Sequence, residues 1–467
     1  MSDIKVALVR LNLPNSKRIK HPNHCSPPYT LKYIQALIVK SNFAEVRLFD
    51  AMTGRIENAE LLVRAGHWKP DIVVYSVNVS TLKEFRWFNS ELKNKINVLS
   101  IAVGSIETKF IPSDLDIYLS GEAEFEVFNL IQRIKHGEST YSEEKERYKK
   151  FKEGKQPNFL VTDLDSLPFP EYTEEEIKDY RFIYPVKLSK KLHWGHILSS
   201  RGCPYKCTFC SPVTRESYGA KARLRSAKNI VDEIEQLQAQ GINMISFDDD
   251  LLTISRQHVQ NLCAELKRRS VDIKWLAHSR IDNVDYELLK TMKEAGCILL
   301  RFGVESGSSR IVQSLTKSFK KIDWNSQAKK VFDYTKELGI ASHALLIIGS
   351  PTETEQEIQE TFTLVKELKP DIMQIHFFSP YPGSTSYEQL KLQVDDTEIM
   401  EMFHYDIPRK NFSALDSKKL SEIRAAFYKK IFLNPKFFIS HMYKYFSFYI
   451  NNLDVFYRLS KGMLYIK

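Results

Sequence analysis

A chain of 467 residues, 43% hydrophobic and 27% charged, has room for two or three units with their own cores and lies outside the compositions of disordered or fibrous proteins. Its net charge of +9 comes from 67 basic and 58 acidic residues scattered along the chain, which reads as a solvated surface and predicts no nucleic-acid partner. Six cysteines are too few for a disulfide scaffold, and no apolar run reaches the roughly 18 residues that a membrane helix needs.

The chain opens MSDIKVALVRLNL, a strand-like run with no secretory cleavage site, so the expected location is the cytoplasm. Strands are predicted over residues 5–9, 46–49, 71–77, 98–103 and 117–120, with helical stretches between them, such as 29–40 behind Pro27 and Pro28. This alternation makes a parallel sheet wrapped by helices. Residues 1–135 are therefore expected to form a flavodoxin-like domain whose ligands bind beyond the carboxyl ends of the strands. Past those ends lie Asn78, Val79, Ser80 and Thr81, then Gly104 and Ser105, then Glu122. His21, His24 and Cys25, in the first strand-to-helix loop, are expected on the surface. Residues 136–155 (HGESTYSEEKERYKKFKEGK) are polar and charged, and open an exposed linker that runs to residue 190.

A second alternating region occupies residues 191–396, with strands predicted over 197–200, 244–247, 275–278, 299–303, 342–348 and 372–378 and helices such as 230–240 and 286–295. Six strand-and-helix pairs imply an open, partial (β/α)6 barrel of the TIM type rather than a closed barrel of eight. Residues 397–467 show no strand pattern and read as helical. From residue 436 onward there is one acid, Asp454, against five Lys and Arg, with aromatics interleaved as in FFISHMYKYFSFYI. Such a helix either packs its aromatic stripe on the barrel or lies against an anionic membrane or a lipid substrate.

The chemistry concentrates in RGCPYKCTFC, where Cys203, Cys207 and Cys210 follow the spacing CxxxCxxC directly after a strand. Three thiolates fill three corners of a four-iron, four-sulfur cluster and leave the fourth iron open. The alternative is a three-cysteine zinc or redox site, and structural zinc needs a fourth ligand. The nearest candidates, His193 and His196, precede the strand that the cysteines follow, so they should lie at its opposite end. Gly202 allows a tight turn, Pro204 stiffens it, and Phe209 can cover the sulfurs with an apolar ring. Cys263 and Cys297 read as packing.

CxxxCxxC at the end of the first strand of a partial barrel resembles the radical S-adenosylmethionine (SAM) superfamily, whose members bind the methionyl amine and carboxylate at the free iron and cleave the sulfonium to a 5'-deoxyadenosyl radical. The resemblance implies cosubstrate contacts at the later strand ends. Asp249 and Asp250 in ISFDDDLLT would face the amino group, with Asp248 capping the next turn. Arg280 in WLAHSRID would sit in the cavity, and Glu305 in AGCILLRFGVESGS would reach hydroxyl or amino groups, with Gly303 and Gly307 admitting the backbone. Gly349 and Pro351 in IIGSPTET would lie at the adenine, and YPGST matches a further turn at the barrel mouth.

PPYTLKYIQALI, VRLFDA, DIVVYSV, LSGEAE and the phrase LDSLPFPEY resemble the cobalamin-binding branch of that superfamily. The resemblance implies a cobalamin near Ser80, with Glu122 hydrogen-bonding the corrin amides, beside the 4Fe-4S cluster and SAM. An electron donor such as flavodoxin or ferredoxin is implied as well. Asp-x-His-x-x-Gly, which supplies a histidine to cobalt in many cobalamin proteins, is missing from the first domain, and Asp50-Ala-Met-Thr-Gly54 holds no histidine. Branch members also bind cobalamin without that ligand. The implied activity is methyl transfer to an unactivated carbon or phosphorus centre of a small molecule, lipid or natural-product intermediate. Cyclisation or rearrangement is the alternative within the class. A non-catalytic cobalamin or iron-sulfur sensor is the alternative outside it, although a sensor has no use for the cosubstrate segments. A methylthiotransferase would carry three more cysteines in its first domain, where this chain has only Cys25.

Overall fold

The computed structural model describes the chain except residues 1–3, 13–24, 54–55, 105, 107, 153–158, 183, 187–190, 211–217, 316–321, 393–410, 433, 454–456 and 458–467. His21, His24, Gly54 and Ser105 thus lie outside the described residues.

The first unit is a five-stranded parallel sheet of β1 (Ile4–Arg10), β2 (Ala44–Asp50), β3 (Ile72–Val77), β4 (Leu99–Gly104) and β5 (Ile117–Ser120) in the order β2-β1-β3-β4-β5. The order reverses between β1 and β3, which opens a crevice beyond their carboxyl ends. Central strands buried on both faces need apolar residues at consecutive positions, and IVVYSV in β3 supplies them. One face packs Val9, Val73 and Tyr75 on Leu61 of α2 (Asn58–Trp68) and on Phe85 and Phe88 of α3 (Leu82–Lys95). The other packs Leu8, Val74 and Ile101 on Ile34 of α1 (Tyr29–Ser41) and Val127 of α4 (Glu124–Lys135).

The expected linker contains a helix, α5 (Tyr141–Lys152), which packs at β5 and extends this unit beyond residue 135. Among its described side chains the buried apolar anchor is Tyr148, one turn after Glu144, and Glu144 takes two hydrogen bonds of 2.9 Å from Arg133 of α4. The sequence of this helix shows no apolar periodicity, which is why composition reads it as a linker. After it, α6 (Glu174–Asp179) opens on a Thr173–Glu176 capping box.

The second unit begins with β6 (Trp194–Ile197), passes through a two-stranded antiparallel ribbon of β7 (Ser200–Arg201) and β8 (Arg223–Leu224), and continues with α7 (Ala227–Ala239), β9 (Met244–Phe247) and α8 (Arg256–Arg268). It goes on through β10 (Lys274–Ser279), α9 (Tyr286–Glu294), β11 (Cys297–Glu305), α10 (Ser309–Ser314), α11 (Trp324–Leu338), β12 (Ala341–Ile348), α12 (Glu355–Leu368) and β13 (Ile372–Phe377). β6, β9, β10, β11, β12 and β13 form one parallel sheet in sequence order, the expected open barrel. The first barrel strand lies earlier than the predicted 197–200, because Asp249 draws Ser199 and Ser200 out of the sheet.

Strand alternation divides the barrel's core. Phe247, Trp275 and Phe302 face helices α7, α8 and α11, while Trp194, Met244, Leu276, Leu299 and Ala341 face the other way. That second set is covered by Tyr445, Phe448 and Tyr449 of α15 (Pro435–Asn451), which follows α13 (Thr385–Gln389) and α14 (Ser417–Phe432). The aromatic stripe of the last helix thus closes the barrel at the amino ends of its strands.

Candidate functional site

Gly202 starts the cysteine loop at φ +89°, where a Cβ would meet the carbonyl oxygens of Lys221 and Tyr218 at 2.5 and 2.7 Å, so only glycine admits the returning ribbon. Cys203 N–H then donates to Gly219 O at 3.3 Å, and Cys210 N–H to Cys207 O at 3.2 Å. Thr208 pins the loop's centre, donating to Leu315 O at 3.1 Å and accepting from Ser386 N–H at 2.9 Å. Phe209 packs toward Ile311, Leu315, Ile347 and Phe378, and so anchors the loop to the barrel. Cys203 and Cys207 are partly exposed, Cys210 is exposed, and none of the three is in a disulfide. Among the described residues no three His, Cys, Asp or Glu side chains converge on one ion. A cube seats each thiolate on a separate iron.

Arg280, at the end of β10, lies with Nη1 3.8 Å from Cys207 Sγ, its guanidinium 4.0 Å over the Tyr205 ring and held by Asp282 through two hydrogen bonds of 2.8 Å. It is 4% exposed, so its cation is fixed beside the sulfurs. Asp250 is exposed and close enough to Cys203 that, after burial, its negative charge is among the causes that push this thiol up.

Asp249 and Asp250 do not act as a pair. Successive residues at a strand end point opposite ways, and Asp249 turns into the protein, fully buried. It accepts from Ser199 N–H at 3.2 Å, from Ser199 Oγ at 2.9 Å and from Ser200 Oγ, and Ser199 Oγ also meets His258 Nε2 at 3.0 Å. Asp249 therefore holds the strand that leads into the cysteine loop and does not face a ligand. Burial lifts its carboxyl to about 6, against the opposing pull of those donors. An acid raised in the folded state stabilises the fold below its unfolded value of 3.8 and loses that contribution as pH rises through 6. Wild type should accordingly lose on the order of 2–3 kcal/mol of stability between pH 4 and 6 that Asp249→Asn does not lose, as read from thermal midpoints across that range. Parallel pH curves for the two proteins would remove Asp249 from this role.

Glu305 closes β11 at φ +64°, beside a register shift between Gly303 and Glu305, and is buried at the strand's carboxyl end. Gly307 lies against α12, where a Cβ would meet the Glu360 carbonyl at 2.6 Å, so its bareness serves helix packing. Gly349 turns at φ +83° after β12, and its N–H donates to Glu353 Oε2 at 2.6 Å, as that of Ser350 does at 3.0 Å. Burial pushes Glu353 up to about 7 and leaves its Oε1 without a hydrogen-bond partner. Sequence reading missed Glu353; the available signal was an acid four residues after the glycine that ends a strand.

On the first unit, Asn78 and Thr81 cap one another and expose a short turn that carries Ser80. Behind it a Cβ on Gly104 would strike the Val77 carbonyl oxygen at 1.9 Å, so only glycine fits on the ledge where the β3 and β4 ends lie side by side. Glu122 does not belong to that ledge. Its carboxylate is enclosed, accepts from Arg223 Nη1 and Val161 N–H at 2.7 Å each, and lies 3.5 Å from Arg201. Cys25, expected on the surface, is 1% exposed, with its N–H bonded to Arg181 O.

A buried polar group joins the two units. Asp248, expected to cap a turn, accepts from Tyr29 Oη of α1 at 2.7 Å and pairs with His196 Nδ1 at 2.9 Å, with Arg301 4.0 Å away. Burial alone would raise its carboxyl, yet His196 and Arg301 hold it down at about 2. His196 also meets Tyr180 O at 3.3 Å, so it is spent away from the cysteine loop.

Residues 197–365 match the radical SAM superfamily. An uncharacterized methyltransferase of Pyrococcus horikoshii is 24% identical over 440 residues, which cover 91% of this chain and 92% of that one. The anaerobic magnesium-protoporphyrin IX monomethyl ester cyclase of Rubrivivax gelatinosus is 24% identical over 444 residues, covering 89% and 77%. Among solved structures, TsrM of Kitasatospora setae, a radical S-adenosylmethionine methyltransferase with cobalamin and a [4Fe-4S] cluster bound, has a similar fold, with a TM-score of 0.65 at 18% identity over 82% of this chain and 77% of that one.

Proposed function

We propose, from the match of residues 197–365 to the radical SAM superfamily, that this enzyme is a cobalamin-dependent methyltransferase acting on an unactivated carbon or phosphorus centre of a small molecule or lipid. The observation that carries the reading is the cysteine loop, with Arg280 Nη1 fixed 3.8 Å from Cys207 Sγ at the carboxyl ends of the barrel strands. When bound, the cluster and SAM supply a carbon radical, and cobalamin supplies a transferable methyl group.

Cys203, Cys207 and Cys210 would hold the cluster, while Asp250, Arg280, Glu305, Gly349 and Glu353 line the strand ends where the cosubstrate would lie. Burial of Arg280, Glu305 and Glu353 keeps water from the reacting region and strengthens their electrostatics. The ledge at Ser80 and Gly104 lies beyond the carboxyl ends of β3 and β4, where the corrin would bind. A small electron donor such as a flavodoxin would reduce the cluster through its exposed side at Cys210. Methylation is preferred to cyclisation because methyl transfer is named for both the Pyrococcus relative and the Kitasatospora structure.

Full-length protein reconstituted anaerobically with hydroxocobalamin should retain about one corrin per chain through gel filtration. The bound cobalt spectrum should lack a nitrogen lower ligand. With SAM labelled in its methyl group, the label should reach the bound corrin. A protein that keeps its cluster but retains no corrin under reducing conditions would end the methyltransferase reading. Retained corrin with 5'-deoxyadenosine release and no label transfer would point to cyclisation or rearrangement.

A further inference from the structure

Helix α15 is apolar on two faces, and the barrel uses only one of them. Tyr445, Phe448 and Tyr449 are 1%, 1% and 7% exposed where they plug the barrel. On the opposite side Ile439, Tyr443, Phe446 and Ile450 are 67%, 89%, 59% and 53% exposed. Steps of four, three and four residues suit one side of a helix that turns every 3.6 residues, and all four stay exposed on either side of the kink at Tyr445. Scattered apolar residues need no explanation, whereas a contiguous outward stripe of this length does.

Charge selects the occupant. From Ile439 to Leu453 the sequence has no acid, and its one Lys or Arg, Lys444, turns inward to pair with Asp371. Lys429 and Lys430 are exposed at the end of α14, just before the stripe begins. Beyond Leu453 the sequence holds Arg458, Lys461 and Lys467 against Asp454. A second copy laid on this helix, parallel or antiparallel, would set basic ends against basic ends. No helix among the described residues is long and apolar enough to cross a membrane, so the stripe suits a surface. We propose that α15 docks the enzyme on an anionic lipid bilayer, lying in the headgroup plane with Tyr443, Phe446 and Ile450 in the acyl boundary and the exposed Lys429 and Lys430 on the phosphates. This stands independently of the methyltransferase reading, because it uses neither the cluster nor the corrin.

The test is co-sedimentation of anaerobically purified full-length protein with vesicles of phosphatidylglycerol mixed into phosphatidylcholine. Most of the protein should pellet with these vesicles, and binding should fall about tenfold on pure phosphatidylcholine or at high salt. The triple variant Tyr443→Ser, Phe446→Ser, Ile450→Ser leaves the barrel-facing aromatics in place, so it should keep the cluster absorption and lose the vesicles. A second variant, Lys429→Glu with Lys430→Glu, touches no core residue and should weaken anionic binding about tenfold, which guards against misfolding of the first. Wild-type protein that stays in the supernatant with anionic vesicles overturns the proposal. So does a wild-type dimer in sedimentation velocity that the triple variant dissociates, since the stripe would then belong to a second copy.

Discussion

Replacing Cys203, Cys207 and Cys210 together by alanine is expected to abolish the broad visible iron-sulfur absorption of the anaerobically reconstituted protein, from about four irons per chain to none. Cys25→Ala, Cys263→Ala and Cys297→Ala should each leave it intact. The contrast follows from thiolate chemistry, because only an accessible, ionisable sulfur can ligate iron. Cys263 and Cys297 are fully buried in the barrel's apolar core, which pushes the Cys263 thiol up to about 12 and that of Cys297 well above its ordinary value. Cys25 is 1% exposed and raised to about 11 by burial. The three loop cysteines sit instead on a partly exposed turn, with the Arg280 guanidinium 3.8 Å from Cys207 Sγ. A triple variant that still bound about four irons would place the cluster elsewhere and remove the basis for the radical reading.

The cysteine loop and most strands could be read from the residues because local rules govern them. CxxxCxxC encodes ligand spacing, and consecutive apolar residues such as IVVYSV and ALLII mark strands covered on both faces. The placement of Arg280 and Glu305 at strand ends was legible for the same reason, since β10 stops just before the one and β11 at the other. Where the reading failed, a partner distant in sequence decided the outcome. Asp249 and Asp250 are chemically identical neighbours, and only the serines fifty and forty-nine residues upstream determine that Asp249 turns inward. Glu122 lies past a strand end, as a ligand contact would, but Arg223, 101 residues later, takes its carboxylate. Asp248 shows the same effect: a turn cap by local pattern, it is claimed across 219 residues by Tyr29. The last helix was half legible, because its composition shows an aromatic stripe but cannot show that a second stripe stays outside.

Arg201→Met should destabilise the protein by about 3–5 kcal/mol, because it leaves the enclosed Glu124 carboxylate without its cation, while Glu122 keeps Arg223. Arg201 is 4% exposed, two positions before Cys203, and reaches from the β7 ribbon into the first unit. Its Nη2 lies 2.9 Å from Glu124 Oε1, a contact close enough for an ion pair but out of line for a hydrogen bond, and its Nη1 lies 3.5 Å from Glu122. Tyr33 of α1 and Tyr218 of the cysteine loop flank the guanidinium at 5.1 and 5.6 Å, so it is held by rings from both units. Losing it should lower the thermal midpoint by on the order of 10 °C. The cysteine loop, anchored by this strand, should release iron over the same temperature range, ahead of the rest of the barrel. Adding Glu124→Gln removes the most exposed penalty, an uncompensated buried charge, and should restore part of the midpoint; a merely volumetric role for Arg201 would show no such rescue. An Arg201→Met protein that melts and holds iron like wild type would mean that the two units are not joined through this cation. The weight of their contact would then fall on Tyr29, Asp248 and His196, and Tyr29→Phe, which deletes the 2.7 Å bond to Asp248, should be the variant that parts them.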